Sequence, residues 1–107
     1  MQPVVLINVF TPKPGKLEPL IRYQADDLRD LWHAGRFPGW LGSRWHRAIE
    51  ADRAANVTAY ESMDAYNRLK EEPELAKRFS EHLRRIGPLV ERVEGGFYSV
   101  VESVGQV

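Results

Sequence analysis

The stretch NVTAYESMDAY, Asn56 to Tyr66, places an amide and two phenols in what reads as half a strand and half a helix. An amide both donates and accepts hydrogen bonds; a phenol does so too, and its ring adds a flat apolar face. Strand alternation puts Asn56, Thr58 and Tyr60 on one face and Val57 and Ala59 on the other. Tyr66, one turn into the following helix, can project back over the same space. Asn8, in register with Leu6 and Phe10 near the N-terminus, offers a second amide to that space. Trp32, Trp40 and Trp45 supply flat apolar walls. Apolar walls with a few placed polar groups are the composition of a pocket for an aromatic ligand. Each residue also has a plainer reading. The tyrosines can be core residues with hydroxyls at the surface, Asn56 can cap a hairpin turn, and Asn8 can satisfy a bulge or a backbone group.

Other chemistries find no residues to carry them. The three histidines, His33, His46 and His82, are far apart and lack metal-ligand spacing. His82 reads as a helix-surface residue. His46 shares strand parity with Arg44 and is the near-neutral titrating group of the sheet, so it joins the candidate substrate-binding residues. No glycine-rich phosphate loop, no G-x-S-x-G and no carboxylate pair placed for acid–base work is present, and EGGF precedes a strand rather than a helix. The absence of cysteine removes thiol nucleophiles and disulfides. The expectation is a site without metal or cofactor, and with no obvious strong base.

Fifteen basic and fifteen acidic residues cancel, which leaves no electrostatic footprint for nucleic acid. The basic run KRFSEHLRR reads as the solvated face of a helix. No apolar stretch is long enough to span a bilayer and no signal peptide precedes the first strand. A single soluble, cytoplasmic domain over residues 1–107 is the expectation.

The elements that must position these residues follow from periodicity and punctuation. PVVLINVFT (Pro3–Thr11) is an apolar, β-branched run and reads as a strand; PKPG is a loop. Leu17, Leu20, Ile21, Leu28, Leu31 and Trp32 recur at helical spacing and predict a helix from about Lys16 to Trp32, with Gly35 in a left-handed position beyond its end. RFPGW is a turn. Leu41–Ile49 and Asn56–Ser62 read as a hairpin joined by EADRAA. Ser62 caps the next helix, with Asp64 in its first turn, and Pro73 opens a renewed helix with an apolar stripe of Leu75, Phe79, Leu83 and Ile86. Gly87–Pro88 ends that helix, and Gly95–Val104 closes the chain as a fourth strand. The order is β-α-β-β-α-β, an α+β, ferredoxin-like plan with a four-stranded antiparallel sheet and both helices on one face.

The first strand is apolar on both sides: Val4, Leu6 and Phe10 point one way, Val5, Ile7 and Val9 the other. Helices on one face leave the second face uncovered. A second copy of the chain packed sheet on sheet would cover it, at roughly 1.5–3 kcal/mol per buried side chain before entropic costs. A homodimer is expected; a fourth strand or loop folding over that face is the alternative.

LINVFTPKPGKLEPL, FPGWLGSRWHR and NVTAYESMDAYNRLKEEPEL together resemble the antibiotic biosynthesis monooxygenase domain family, over about Val4 to Val101. The carrying elements are the strand before PGK, the PGW turn followed by LGSRWHR, and ES-x-x-AY before a proline-started helix. The resemblance implies a dimeric α+β barrel. One branch of that superfamily comprises cofactor-independent monooxygenases that oxidise phenolic polyketide intermediates to quinones with O2. There an asparagine begins the third strand, a tryptophan follows four residues on, and a tyrosine lies in the next helix. Asn56 and Tyr66 match in kind, Tyr60 stands where that tryptophan is expected, and Trp32 approximates a second pocket tryptophan. The resemblance thus implies catalytic roles for Asn56 and Tyr66 and substrate contacts for Tyr60 and Trp32. A haem-degrading branch uses an asparagine on the first strand, a tryptophan and a histidine ligand. Asn8 matches, but Leu69 and Phe79 stand at the other two positions, which turns the reading away from haem. A non-catalytic barrel that binds a small molecule is the alternative from another class.

Overall fold

In the computed structural model, which describes residues 3–35 and 37–106, the predicted order of elements is present. Strand β1 spans Val4–Pro12, helix α1 Leu17–Ala34, β2 Trp40–Arg47, β3 Ala54–Tyr60, α2 Met63–Lys70, α3 Pro73–Ile86 and β4 Val90–Ser99, with a single 3-10 turn, Gly87–Leu89, before the last strand. Arg36, the first residue of the predicted RFPGW turn, lies outside the described residues.

The sheet has four antiparallel strands in the order β2-β3-β1-β4, the ferredoxin-like arrangement. Direct partners share a face, so the register sorts the side chains. Val4, Leu6, Asn8 and Phe10 stand beside Tyr60, Thr58, Asn56 and Ala54. This is the face that the helices cover. Its apolar residues divide between two clusters: Leu31, Tyr60, Leu69 and Leu75 at one end, and Phe10, Leu20 and Ile86 at the other. Burying a side chain such as Leu20 contributes roughly 1.5–3 kcal/mol.

Local chemistry sets the helix ends. Ser62 Oγ accepts from the Ala65 amide at 3.0 Å, as expected of a cap. Glu72 caps α3 by accepting from the Leu75 amide at 2.9 Å, with Pro73 just inside. Gly39, at φ +93°, makes the turn into β2; a Cβ there would stand 2.6 Å from Ala65 Cβ.

Several boundaries differ from expectation: β2 spans Trp40–Arg47 rather than Leu41–Ile49, and β3 spans Ala54–Tyr60 rather than Asn56–Ser62, taking the end of the predicted EADRAA loop into the strand. Gly35 is extended rather than left-handed, because the chain runs straight on to place the Phe37 ring 3.3 Å from where its Cβ would be. Strand β4 begins at Val90 instead of Gly95 and ends at Ser99 instead of Val104. Its start pairs with Pro12 through a register shift that breaks the alternation of LVERVEGG, and its last residue, Ser99, pairs with Val4, the first of β1. Strand β2 holds a bulge between Trp40 and Gly42. Regular alternation would set Trp40 with Arg44 and His46; the extra residue, Leu41, returns Trp40 to the helix side. Among the described residues no helix is long and apolar enough to cross a membrane.

Candidate active site

Between sheet and helices lies a cavity of about 690 Å³, reached by residues of every strand and helix. One cross-strand row crosses the middle of its floor: Trp45 on β2, Asn56 on β3 and Asn8 on β1 line it, and Gly95 on β4 is the next partner in the row. Gly95 has a reason to be glycine, since a Cβ there would collide with Asn8 Oδ1. The next row carries Ser43, Thr58, Leu6 and Phe97.

A chain of hydrogen bonds fixes the Asn56 amide. Trp40 Nε1 donates to Ser43 Oγ at 3.1 Å, Ser43 and Thr58 hydroxyls lie 2.8 Å apart, and Thr58 Oγ1 donates to Asn56 Oδ1 at 2.7 Å. Thr58 spends its one hydrogen on Asn56, so Ser43 supplies the hydrogen between the hydroxyls. All three hydrogens therefore point toward Asn56, and such chains strengthen cooperatively. The carbonyl of Asn56 is occupied; its Nδ2 is buried and finds no partner among the described residues. Trp45 Nε1 and both polar atoms of Gln24 share that condition. All three residues line the cavity. Buried polar groups are satisfied in the great majority of cases, so a cluster of exceptions around one cavity marks a place where a ligand's polar atoms belong. A small turn about a soft terminal torsion brings an amide to such a ligand.

The aromatic end of the cavity is a stack of edges. Tyr60 and Tyr66 meet edge to face at 5.0 Å between centroids, and Tyr66 meets Phe97 the same way at 4.7 Å. Burial first, and the neighbouring Tyr66 second, push the Tyr60 phenol up to about 12. Tyr60 is thus a neutral hydroxyl across the physiological range. Lys70 Nζ stands over the Tyr66 ring at 5.3 Å.

The structure brings Asn8, Asn56, Tyr60 and Tyr66 to this cavity, together with Trp40 and Trp45. Two further candidates stand elsewhere. Trp32 does not line the cavity: it is one helical step past Leu31, 46% exposed, and packs edge-on against Trp40 at 5.0 Å. It backs the wall from outside. His46 pairs with Ala55, so the parity it shares with Arg44 turns it to the opposite side of the sheet.

Among the lining residues that went unforeseen, two stand out. Gln24 is fully buried at the centre of α1's inner face, between Leu20 and Leu28 at steps of four. An amide interrupting an apolar stripe was the available signal. His82 is no surface residue: its side chain is 13% exposed, it lines the cavity from α3, and its Nδ1 is 2.8 Å from Asp27 Oδ2 on α1. It falls on the stripe of Leu75, Phe79 and Ile86, but its partner is far away in the chain and gave no local sign.

No protein-family model matches the chain, and no curated protein does. Solved structures match along its whole length. PA3566 from Pseudomonas aeruginosa superposes with a TM-score of 0.76 at 17% identity, covering 95% of this chain and 97% of that one. SnoaB from Streptomyces nogalater, a cofactor-independent oxygenase, gives 0.69 at 21% identity over 99% and 100% of the two chains. A protein from Nitrosomonas europaea assigned as an antibiotic biosynthesis monooxygenase gives 0.76 at 15% over 97% and 95%. The chain has the fold of the antibiotic biosynthesis monooxygenases; at these identities the likeness is one of fold.

Proposed function

We propose that the chain is a cofactor-independent monooxygenase that oxidises a phenolic, polycyclic aromatic molecule to a quinone with O2. The observation that carries this reading is the cavity itself: aromatic at one end, and floored by polar atoms that lack partners at the other. The fold shared with SnoaB supports it. Without a cofactor the electrons must come from the substrate, and a phenol gives them up far more readily as phenolate. One oxygen atom becomes the new carbonyl, and the other leaves as water with two hydrogens of the substrate, the phenolic one and the one on the ring carbon that is oxidised. The protein's share is to bind the ring, favour loss of the proton and hold O2 beside the carbon. Asn56 Nδ2 donates to the substrate oxygen or the developing peroxide, and its fixed carbonyl makes it a donor only. Tyr66 hydrogen-bonds the phenolic oxygen, Tyr60 walls the ring, and Asn8 faces the same floor. Gln24 and Trp45 Nε1 meet oxygen functions at the polar end.

The working unit in this reading is a homodimer. Val5, Ile7, Val9, Ala55, Val57 and Ala59 form an apolar patch on the face away from the helices. Packing a second sheet there covers it. Sedimentation at micromolar concentration should give about twice the 12.3 kDa chain mass; a stable monomer would remove this part of the reading.

Oxygen uptake with dihydroxyanthrone tests the activity. Uptake should persist in the presence of chelator, with no flavin, nicotinamide or haem added, and should fall in Asn56→Ala through kcat more than KM. Dependence on an added cofactor would overturn the proposal. Binding of the anthrone without uptake would favour the non-catalytic barrel.

A further inference from the structure

Oxidation of a bound phenol begins with loss of its proton, and the residues above name no acceptor. Among the described residues lining the cavity, Lys70 and Arg92 are donors with no lone pair to offer, Tyr66 is a phenol like the substrate itself, and Tyr60 holds its proton up to about 12. Glu91 is exposed to solvent rather than enclosed beside the aromatic end. His82 is the remaining group.

We propose that His82, held by Asp27, is the proton acceptor that ionises the phenol bound in the cavity; this rests on reading the cavity as a phenol site. The geometry is that of a base with its orienting carboxylate. Nδ1 lies 2.8 Å from Asp27 Oδ2, so Nδ1–H donates to the carboxylate and Nε2 is left with its lone pair. Arg85 pairs with the other oxygen of Asp27, its guanidinium 3.7 Å from Oδ1. Arg85 is itself stacked on the Tyr23 ring at 4.2 Å. Phe79 sets its ring edge-to-face against the imidazole, 6.2 Å between centroids. The phenol O–H bond breaks, its proton goes to Nε2, and the imidazolium formed is paired at once with Asp27. The products are a phenolate and an imidazolium whose Nδ1–H is held by Asp27 and whose new Nε2–H donates to the phenolate, so each new charge has a partner in a half-buried site.

The other charges around His82 do not cancel this arrangement. The groove between the helices holds Asp30 from α1 and Arg78 and Glu81 from α3 beside the Asp27–Arg85 pair. On the cavity side Lys70 comes from α2, and Glu91 and Arg92 come from β4. Each set contains both signs, and Asp27 is the carboxylate in contact.

Alizarin separates this step from turnover, because it is already a quinone and its colour reports ionisation of its phenol. Bound to the intact protein at a pH low enough that free alizarin is still neutral, it should show the anion's spectrum. His82→Gln should bind alizarin but leave it neutral, and Asp27→Asn should leave most of it neutral while keeping the shape of the pair. Thermal melts of both variants establish that they fold. With dihydroxyanthrone, His82→Gln should lose roughly 10²-fold in kcat at neutral pH, the range of general-base effects. The acid-side limb of the rate profile should disappear, and the rate should recover at alkaline pH as the anthrone ionises unaided. Bound alizarin equally ionised in folded His82→Gln, or an unchanged rate profile, would overturn the proposal and leave the phenol site standing. Failure of alizarin to bind the intact protein would overturn both.

Discussion

Gln24 carries two unpartnered polar atoms into the centre of a helix face that is otherwise apolar. An unsatisfied buried amide costs on the order of 1–3 kcal/mol. Gln24→Leu, of similar volume, should therefore raise the unfolding free energy by about that amount while weakening alizarin binding. Denaturant melts and calorimetric titration of the same variant check both halves. A destabilised variant would mean that the amide has a structural partner. Tyr60 predicts a pH dependence. Its phenol ionises near 10 in an unfolded chain and at about 12 in the fold. The folded state holds the proton more tightly, so this contribution is complete below pH 10 and is lost as the pH rises toward 12. The loss is on the order of 2 kcal/mol. Tyr60→Phe should flatten that part of the stability curve, as read by melts at successive alkaline pH values. At this scale the sequence is readable where strand parity alone decides the outcome: Asn56, Thr58 and Tyr60 share the predicted face. It is silent where a distant partner decides, as with Asp27 and His82.

At the scale of elements, the helix starts at Ser62 and Pro73 were legible because their chemistry is local. The end of α1 at Gly35 was not. The β2 bulge was not legible, since nothing in WLGSRWHR announces that one residue is extra. Its effect reaches the site, because Trp40 begins the hydrogen-bond chain that ends at Asn56. Deleting Leu41 would only remove the bulge and leave Trp40 beside Gly42, still opposite Tyr60 on the helix side. The chain is tested instead by Trp40→Phe, which keeps a ring in place and removes the first donor. The Asn56 amide should then be freer to rotate, and turnover should drop more than melting temperature. A Trp40→Phe variant with full turnover would show that the chain can start at Ser43.

At the scale of the molecule, the plan was visible in the order of elements because each apolar run has one period and one punctuation. The split of the core into two clusters, with a polar row between, was not. It depends on which residues of distant strands become partners, and that is set by register. The same register joins the two ends of the chain. Asn8 on the first strand and Gly95 on the last occupy one volume between them, since any side chain at residue 95 would take the space of the Asn8 amide. Gly95→Ala should thus be strongly destabilising beside Asn8 and much better tolerated beside Asn8→Gly, a coupling that a double-mutant cycle measures. Neither letter is informative alone. Together they form a mark 87 positions apart that other chains of this shape can be searched for. A chain that keeps the asparagine is expected to keep the glycine, and one that has lost the asparagine is free to let the glycine drift.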